Sequence, residues 1–173
     1  NGGRSGSLLS VMDRTQTAGG ARLLERRLSS PSRDLAQIGN RQDSVAWCLD
    51  RGDVAALLND RLREVPDLDR ALSRLSLDRG GPRDMTAVRS AISQAAIIAD
   101  TLPKDMPDVL TDAARDLVGQ DDLLTLLDAA IVAEPPILAR DGGFIAAGYN
   151  GELDGFRSLR DEGRSVIAGL QSQ

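Results

Sequence analysis

The chain has 173 residues, a length that fits one domain; 41% of them are apolar, 2% are aromatic, and the net charge is −5. It contains no histidine and one cysteine, Cys48, which excludes a catalytic triad with an imidazole base, a zinc site of Cys and His ligands, and an internal disulfide. An acidic, aromatic-poor chain is also a poor candidate for unaided nucleic-acid binding, which needs basic and aromatic side chains.

The chain ends and the apolar runs indicate what kind of polypeptide this is. No apolar run approaches the roughly 20 residues of a membrane-spanning helix, so we expect a cytoplasmic protein that does not enter a membrane. The chain opens on the polar segment 1–6 without an initiator methionine, and it stops inside a periodic apolar pattern. Both ends therefore indicate a piece of a longer protein.

Helical periodicity, with apolar residues three and four positions apart, runs along most of the chain. A short apolar stretch at residues 7–13 comes first, and Thr17 can then cap a helix that Pro31 ends. The next helix is predicted to start near Ser32 or Asp34, because both side chains are good N-terminal caps.

Glycine and proline mark the breaks between the later helices. Gly52 breaks the pattern, and Asp53 can cap the following helix. Gly80-Gly81-Pro82 breaks it again, with proline at the favourable first position of a helix that runs up to Leu102. From the first long helix onward, the periodic segments are residues 18–29, 35–49, 54–62, 68–77, 82–102, 109–118, 123–132 and 153–170.

Two segments near the C-terminus differ from the rest. Residues 137–150 hold Gly142, Gly143 and Gly148, which indicate a tight turn with two short extended pieces. The last helix carries a narrow heptad seam, which is typical of a helix that pairs with a long partner helix. The seam consists of Leu153, Phe156, Leu159, Gly163, Val166 and Leu170. The sequence therefore predicts an all-α fold with one irregular glycine-rich insertion.

The candidate binding motifs favour structural roles. Residues 142–148 are glycine-rich but lack the Lys and Ser/Thr of a nucleotide-binding loop, so a turn is favoured over a phosphate site. Asp67 with Asp69, and Asp121 with Asp122, could act as metal ligands or as acid–base pairs. Each pair comes just before a helical run, where carboxylates stabilise the positive helix end, so capping is favoured.

Cys48 and a group of arginines are the remaining candidates. Cys48 follows Trp47 on an apolar helix, which favours a small core residue over a reactive thiol. The arginines could contact phosphate or could form a solvated helix face that pairs with acidic neighbours. The densest basic cluster consists of Arg22, Arg26, Arg27 and Arg33. The residues alone give no catalytic, cofactor-binding or metal-binding residue.

Four blocks of sequence carry a resemblance to a known family. They are residues 6–24, with Gly20-Ala21-Arg22-Leu23-Leu24 at their end, residues 67–75, residues 82–85 and residues 140–154. In this order they resemble the core region of the MutS family of DNA mismatch-repair ATPases. The chain departs from the family at Arg27, where a Trp is frequent, and at Ala18-Gly19, where Pro-Met is common.

The resemblance implies a division of the chain and a place within a larger protein. Residues 1–150 would form an irregular all-α core domain with a glycine-rich loop or short hairpin. Residues 151–173 would begin a long outgoing lever helix. The Phe-x-Glu wedge that reads mismatches and the Walker A loop that binds ATP with Mg²⁺ are absent here, so the resemblance implies that they belong to other domains of the parent protein.

The function implied by the resemblance is mechanical. The segment would couple the ATPase to the DNA clamp and the mismatch-binding domains, and would have no enzymatic activity of its own. Its partners would be the other domains of its parent chain, mismatched DNA through that parent, and another copy of the segment through the exposed seam. The alternative is a free-standing helical adaptor domain that binds another protein.

Overall fold

The computed structural model describes residues 6–171, and for residues 164–171 it describes the backbone alone. Within these residues the chain forms nine α-helices, one 3-10 turn at Ala139–Asp141 and no strand, which confirms the predicted all-α fold. The helices are α1 (Leu8–Met12), α2 (Ala18–Ser29), α3 (Leu35–Asp50), α4 (Gly52–Arg63), α5 (Leu68–Ser76), α6 (Pro82–Thr101), α7 (Asp108–Arg115), α8 (Asp121–Ala130) and α9 (Gly151–Gln171).

Local capping chemistry explains where α2 and α3 begin. The Thr17 hydroxyl accepts a hydrogen bond from the Gly20 amide at 2.9 Å, as the sequence predicts. The Asp34 carboxylate accepts from two amides in the first turn of α3, which decides between the two predicted starts of that helix. The predicted cap at Asp53 is wrong, because α4 follows α3 directly with Arg51 between them and Asp53 lies inside its first turn.

The central helix α6 begins at the predicted break. Pro82 is its first residue and is fully buried, and the Asp84 carboxylate accepts a hydrogen bond from the Gly81 amide at 2.8 Å. Four other helices, α4, α5, α7 and α8, pack against α6. The core therefore lies along this helix, and its buried apolar residues are Val54, Ala71, Val88, Ala91, Ile98, Ala130 and Ile131.

Helix α3 packs against α4 and α7. The Trp47 indole N–H donates to the Asp105 carbonyl at 3.1 Å, and the Arg51 guanidinium lies over the Trp47 ring, 5.5 Å from its centroid. Ser44 is buried on the same side, and Cys48 is half-buried. One face of α3 is thus packed, whereas Leu35, Val45 and Leu49 are exposed.

Part of the predicted seam and most of the polar N-terminal segment lie outside the residues whose side chains the structure describes. Val166 and Leu170, the last members of the predicted seam, lie outside the described side chains, and so does most of the polar segment 1–6. Among the helices of residues 6–171, none has both the length and the apolar composition to cross a bilayer.

The turn between α5 and α6 yields a stability prediction at Gly80. A Cβ there would lie 2.9 Å from the Leu75 Cα and closer still to its side chain. We therefore expect Gly80→Ala to lower the free energy of unfolding by about 1–3 kcal/mol, because backbone and side chain must shift apart.

The matched control for Gly80→Ala is Gly39→Ala. Gly39 lies inside α3, and a Cβ there would meet no atom within 4 Å. Its replacement should raise the free energy of unfolding by up to about 1 kcal/mol, since alanine loses less backbone entropy in a helix. Urea unfolding followed by circular dichroism measures both changes, and equal effects of the two substitutions would contradict the argument.

Candidate functional site at the base of the last helix

Helix α9 is held at its first turn by two polar side chains. The Asn150 side-chain oxygen accepts a hydrogen bond from the Leu153 amide at 2.9 Å, so Asn150 caps the helix. The Asp154 carboxylate accepts from the Gly148 amide at 2.7 Å. The start of α9 is thereby joined to the glycine-rich segment before it.

Arg157, one turn further along α9, extends this connection. Its guanidinium pairs with the Asp154 carboxylate at 2.9 Å and donates to the Ile145 carbonyl at 2.8 Å. The Arg157 side chain is only 24% exposed. We call Asp154 and Arg157, with their partners Gly148 and Ile145, the α9 anchor.

The glycine-rich segment is itself attached to the end of α8. Ile131 and Ile145 form an isolated antiparallel bridge, flanked by hydrogen bonds from Val132 to Phe144 and from Ala146 to Ala130. The sequence placed two extended pieces within residues 137–150. Residues 144–146 are extended, but they pair with residues 130–132 at the end of α8. Residues 133–143 therefore form a wide loop, and the predicted alternative of a short hairpin within residues 137–150 is wrong.

Two glycines allow this loop to return. Gly142 and Gly143 follow the 3-10 turn with φ values of 69° and 72°, a left-handed conformation that side-chain-bearing residues rarely adopt. The predicted turn at these glycines is confirmed. It is the chain reversal that brings Phe144 and Ile145 back to the end of α8.

Arg89 connects the bridge to the central helix α6. Its guanidinium donates to the Ile131 carbonyl at 2.8 Å and to the carbonyls of Val132 and Ala133 at 3.4 and 3.3 Å. It also lies 3.7 Å from the Asp128 carboxylate, and its side chain is 15% exposed. Cations satisfy the free carbonyls that end a helix, so Arg89 ties the end of α8 to α6.

The two arginines produce a continuous chain of contacts. It runs from α6 through Arg89 to residues 131–133, across the Ile131–Ile145 bridge, and through Arg157 into α9. The sequence pattern indicates neither arginine, because their partners are backbone carbonyls 12 to 44 positions away. Both carboxylates in this arrangement, those of Asp128 and Asp154, are paired with its arginines, and what the arrangement can do is fix the direction in which α9 leaves the core.

The predicted aspartate pairs lie at helix N-termini. Asp67 caps α5, where it accepts from the Arg70 amide, and Asp69 lies in the first turn. Asp121 and Asp122 lie in the first turn of α8. Among the residues that the structure describes, no group of three or more His, Cys, Asp or Glu side chains is placed to hold a metal ion.

One member of the predicted basic cluster, Arg22, is engaged in ion pairs with α5, whereas the other three members are not. The Arg22 guanidinium binds the Asp67 carboxylate at 2.7 Å and that of Asp69 at 2.8 Å. The hydrogen bond with Asp67 raises the pKa of Arg22, and the same bond lowers the pKa of Asp67. Arg22 therefore ties α2 to α5, and a phosphate patch could use only the other three arginines.

Arg27 has a different neighbour, which the sequence did not indicate. It lines a groove together with Arg41 of α3. Burial, and then the charges of Arg41 and Arg26, lower the pKa of Arg27.

These features define a class of domain: a helical scaffold with one central helix and a long last helix anchored through its base. Comparison with known proteins identifies the family. The family model of MutS domain III matches residues 1–172, and the chain belongs to the MutS domain III family.

The curated relatives are DNA mismatch repair proteins MutS. The chain is 60% identical to the MutS protein of Roseobacter denitrificans and 61% identical to that of a Ruegeria species. Each alignment is 174 residues long and covers 100% of this chain. It is 58% identical to that of Paracoccus denitrificans over 172 residues, or 99% of this chain. In each case the match covers 20% of the relative, so the chain spans about a fifth of their length.

The α9 anchor yields a second prediction. Arg157→Gln removes the cation that holds both Asp154 and the Ile145 carbonyl, and we expect the free energy of unfolding to fall by about 1–3 kcal/mol. Amide hydrogen exchange should become faster at Ala146 and Gly148, whose hydrogen bonds depend on the anchor.

The matched control for the anchor is Arg160→Gln on the same helix. Arg160 is exposed and pairs with its neighbour Asp161, so its loss should leave both stability and exchange nearly unchanged. If the two variants behaved alike, the anchor would have no special role in attaching α9.

The Arg22–Asp67 pair yields a prediction about pH. The folded state lowers the pKa of Asp67 below its ordinary value of 3.8, so the pair stabilises the fold above that pH. This stability is lost as the pH falls through the lower, folded-state value. Asp67→Asn should therefore flatten the acid side of the curve of unfolding free energy against pH, while still capping α5.

A double-mutant comparison isolates this effect. In an Arg22→Gln background, Asp67→Asn should cause much less flattening, because the principal cause of the pKa shift is already gone. An unchanged effect in that background would mean that a partner of Asp67 other than Arg22, such as the Arg70 amide, causes its acid sensitivity.

Proposed function

We propose that this chain is the core and lever segment of a longer MutS mismatch-repair protein, in which it couples an ATPase to the domains that hold mismatched DNA. The observation that carries the proposal is the α9 anchor. A helix can transmit a displacement only if its base is fixed to the body that moves it, and Arg157 supplies that attachment.

The length and position of α9 support the lever role. At 1.5 Å per residue, the 21 residues of α9 span roughly 30 Å, of which roughly 20 Å lie beyond Arg157 of the anchor. Phe156 and Leu159 of the predicted seam are exposed along it, as expected for a helix that pairs with a partner helix. The proposed division is therefore a core at residues 1–150 and the start of the lever at residues 151–173.

The proposed mechanism is rigid-body motion of packed helices. Because α6 contacts four other helices, a force at the base of α9 is distributed over the core through Arg89 and the Ile131–Ile145 bridge. In the opposite direction, displacement of the core by an ATPase would change the angle at which α9 extends. Coupling also requires that the far end of α9 bias a two-state element in the DNA-holding domains.

The remaining parts of the proposal concern the whole protein. ATP with Mg²⁺, the catalytic groups and most contacts with mismatched DNA are assigned to other domains of the parent, and this segment is proposed to have no enzymatic activity. A DNA role for Arg26, Arg27 and Arg33, self-association through the α9 seam and a cytoplasmic location stay predictions.

The lever role predicts the effect of breaking α9 in the full-length protein. Ser158 is exposed in the interior of this helix, and proline there removes a backbone hydrogen bond at a cost of roughly 3 kcal/mol. We expect Ser158→Pro to slow ATP-driven release from mismatched DNA about 5- to 150-fold, the usual range of coupling energies. Stopped-flow fluorescence of labelled DNA measures the release rate.

Ser158→Ala is the matched control, since it changes the same side chain and leaves the helix intact. ATP hydrolysis in the absence of DNA should persist in both variants, which separates loss of coupling from loss of the ATPase. Release by Ser158→Pro at the rate of the unchanged protein would overturn the lever role.

A further inference from the structure

Helix α3 has a second apolar face that no described element covers. Leu35, Val45 and Leu49 on this face are 83%, 61% and 79% exposed. With the half-buried Ile38 and the intervening Gln42, they follow one another at spacings of 3, 4, 3 and 4 residues. That pattern forms a narrow seam of the kind that pairs with another helix.

The seam forms the wall of an open groove beside the C-terminal end of α2. The groove has a volume of about 530 Å³. Its lining combines apolar side chains with two cations, Arg27 and Arg41. We call it the α3 groove, and the residues that matter for its chemistry are Arg27, Pro31, Ile38, Arg41, Val45 and Leu49.

The two cations of the α3 groove have no counter-ion among the side chains that the structure describes. Among the described side chains, residues 6–163, no carboxylate forms an ion pair with Arg27 or Arg41. The two guanidinium groups line the same groove and repel each other; burial first, and then the charges of Arg41 and Arg26, lower the pKa of Arg27. An occupant with a carboxylate between them would relieve this repulsion, so charge complementarity favours an acidic flank on the partner.

We infer that the α3 groove is the docking site of an amphipathic helix from the same full-length polypeptide, outside these 173 residues. This helix carries apolar residues at alternating spacings of three and four and at least one carboxylate that faces Arg27 and Arg41. The inference rests on the proposed function in one respect, that the chain is part of a longer MutS protein. The curated relatives support that premise, since about four fifths of their length lies outside the match.

A second copy of this chain is the rival occupant. Its α9 exposes Phe156 and Leu159 and carries Asp161 and Glu162, a similar combination of apolar and acidic residues. The intramolecular helix is favoured because a docked segment of the same chain is present at high effective concentration, whereas a second copy must associate. The two occupants differ in how occupancy depends on protein concentration.

Thiol labelling of the full-length protein tests the inference. Leu49→Cys is made in a Cys48→Ala background, and the rate of alkylation at residue 49 is measured by mass spectrometry of its peptide. If a helix occupies the groove, alkylation should be about tenfold slower or more than in the urea-unfolded protein, independent of protein concentration. Val45→Cys should behave in the same way, which guards against a defect of one variant.

Asp43→Cys is the matched control. Asp43 is exposed on α3 but lies about a third of a turn around the helix from Leu49, away from the groove. It should be alkylated rapidly in the folded protein. Equal rates at residues 43 and 49 would overturn the inference, and protection at residue 49 that grows with protein concentration would assign the groove to a second copy instead.

Charge reversal tests the acidic flank. Arg41→Glu in the Leu49→Cys background should restore rapid alkylation, whereas Arg33→Glu, which changes an exposed arginine that does not line the groove, should not. Protection that survives Arg41→Glu would contradict the proposed carboxylate. The two proposals can fail separately. If residue 49 is protected but the Ser158→Pro variant releases DNA at the normal rate, the lever role is refuted and the docking site is still supported.

Discussion

The attachment of α9 depends on two guanidinium groups that donate to backbone carbonyls. Between α8 and α9 the chain leaves helical structure, and its carbonyls lose their partners within a helix. Arg89 supplies donors to residues 131–133 and Arg157 supplies one to Ile145, so the non-helical segment is held from both sides. Without the two arginines, the connection would depend on one backbone bridge with two flanking hydrogen bonds and on the hydrogen bond from Gly148 to Asp154. The direction of the last helix is thus a consequence of arginine chemistry.

The same chemistry gives meaning to the basic composition of the chain, in which Lys104 is the single lysine. A guanidinium has five N–H donors in a rigid plane, whereas an ammonium is a compact charge on a flexible stem. Arg89 uses this fork to reach three consecutive carbonyls, and Arg22 uses it to hold two carboxylates of α5. Because several of the cations join parts of the chain to each other, fewer remain free for phosphate.

Local rules predicted the parts of the fold that local chemistry controls. Thr17 and Asp34 begin helices because their side chains accept hydrogen bonds from amides of the first turn. Pro82 begins one because the first turn of a helix does not need the N–H that proline lacks. The predicted cap at Asp53 is wrong because α3 and α4 share a single connecting residue, Arg51, and α4 starts at Gly52, two positions before its predicted start at residue 54. The contacts of the α9 anchor and Arg89 could not be predicted from one sequence. Every residue has a backbone carbonyl, so the residue type at a position does not show which carbonyl accepts a hydrogen bond. Periodicity likewise revealed an apolar face on α3 without revealing what covers it.

The distribution of buried and exposed apolar residues connects the scaffold with its proposed task. Burial is concentrated along α6, whereas the large exposed apolar side chains include those of the α3 groove and the α9 seam. Protein interiors are close-packed and transmit strain, which supports the proposal that a core centred on one helix moves as a unit. In the proposed lever role, a force that enters through α9 would reach α6 by way of Arg157, the bridge and Arg89, and α6 would share it with α4, α5, α7 and α8. The proposed role needs stiffness and two attachment surfaces, for which the core packed along α6 and the exposed apolar faces of α3 and α9 are suited.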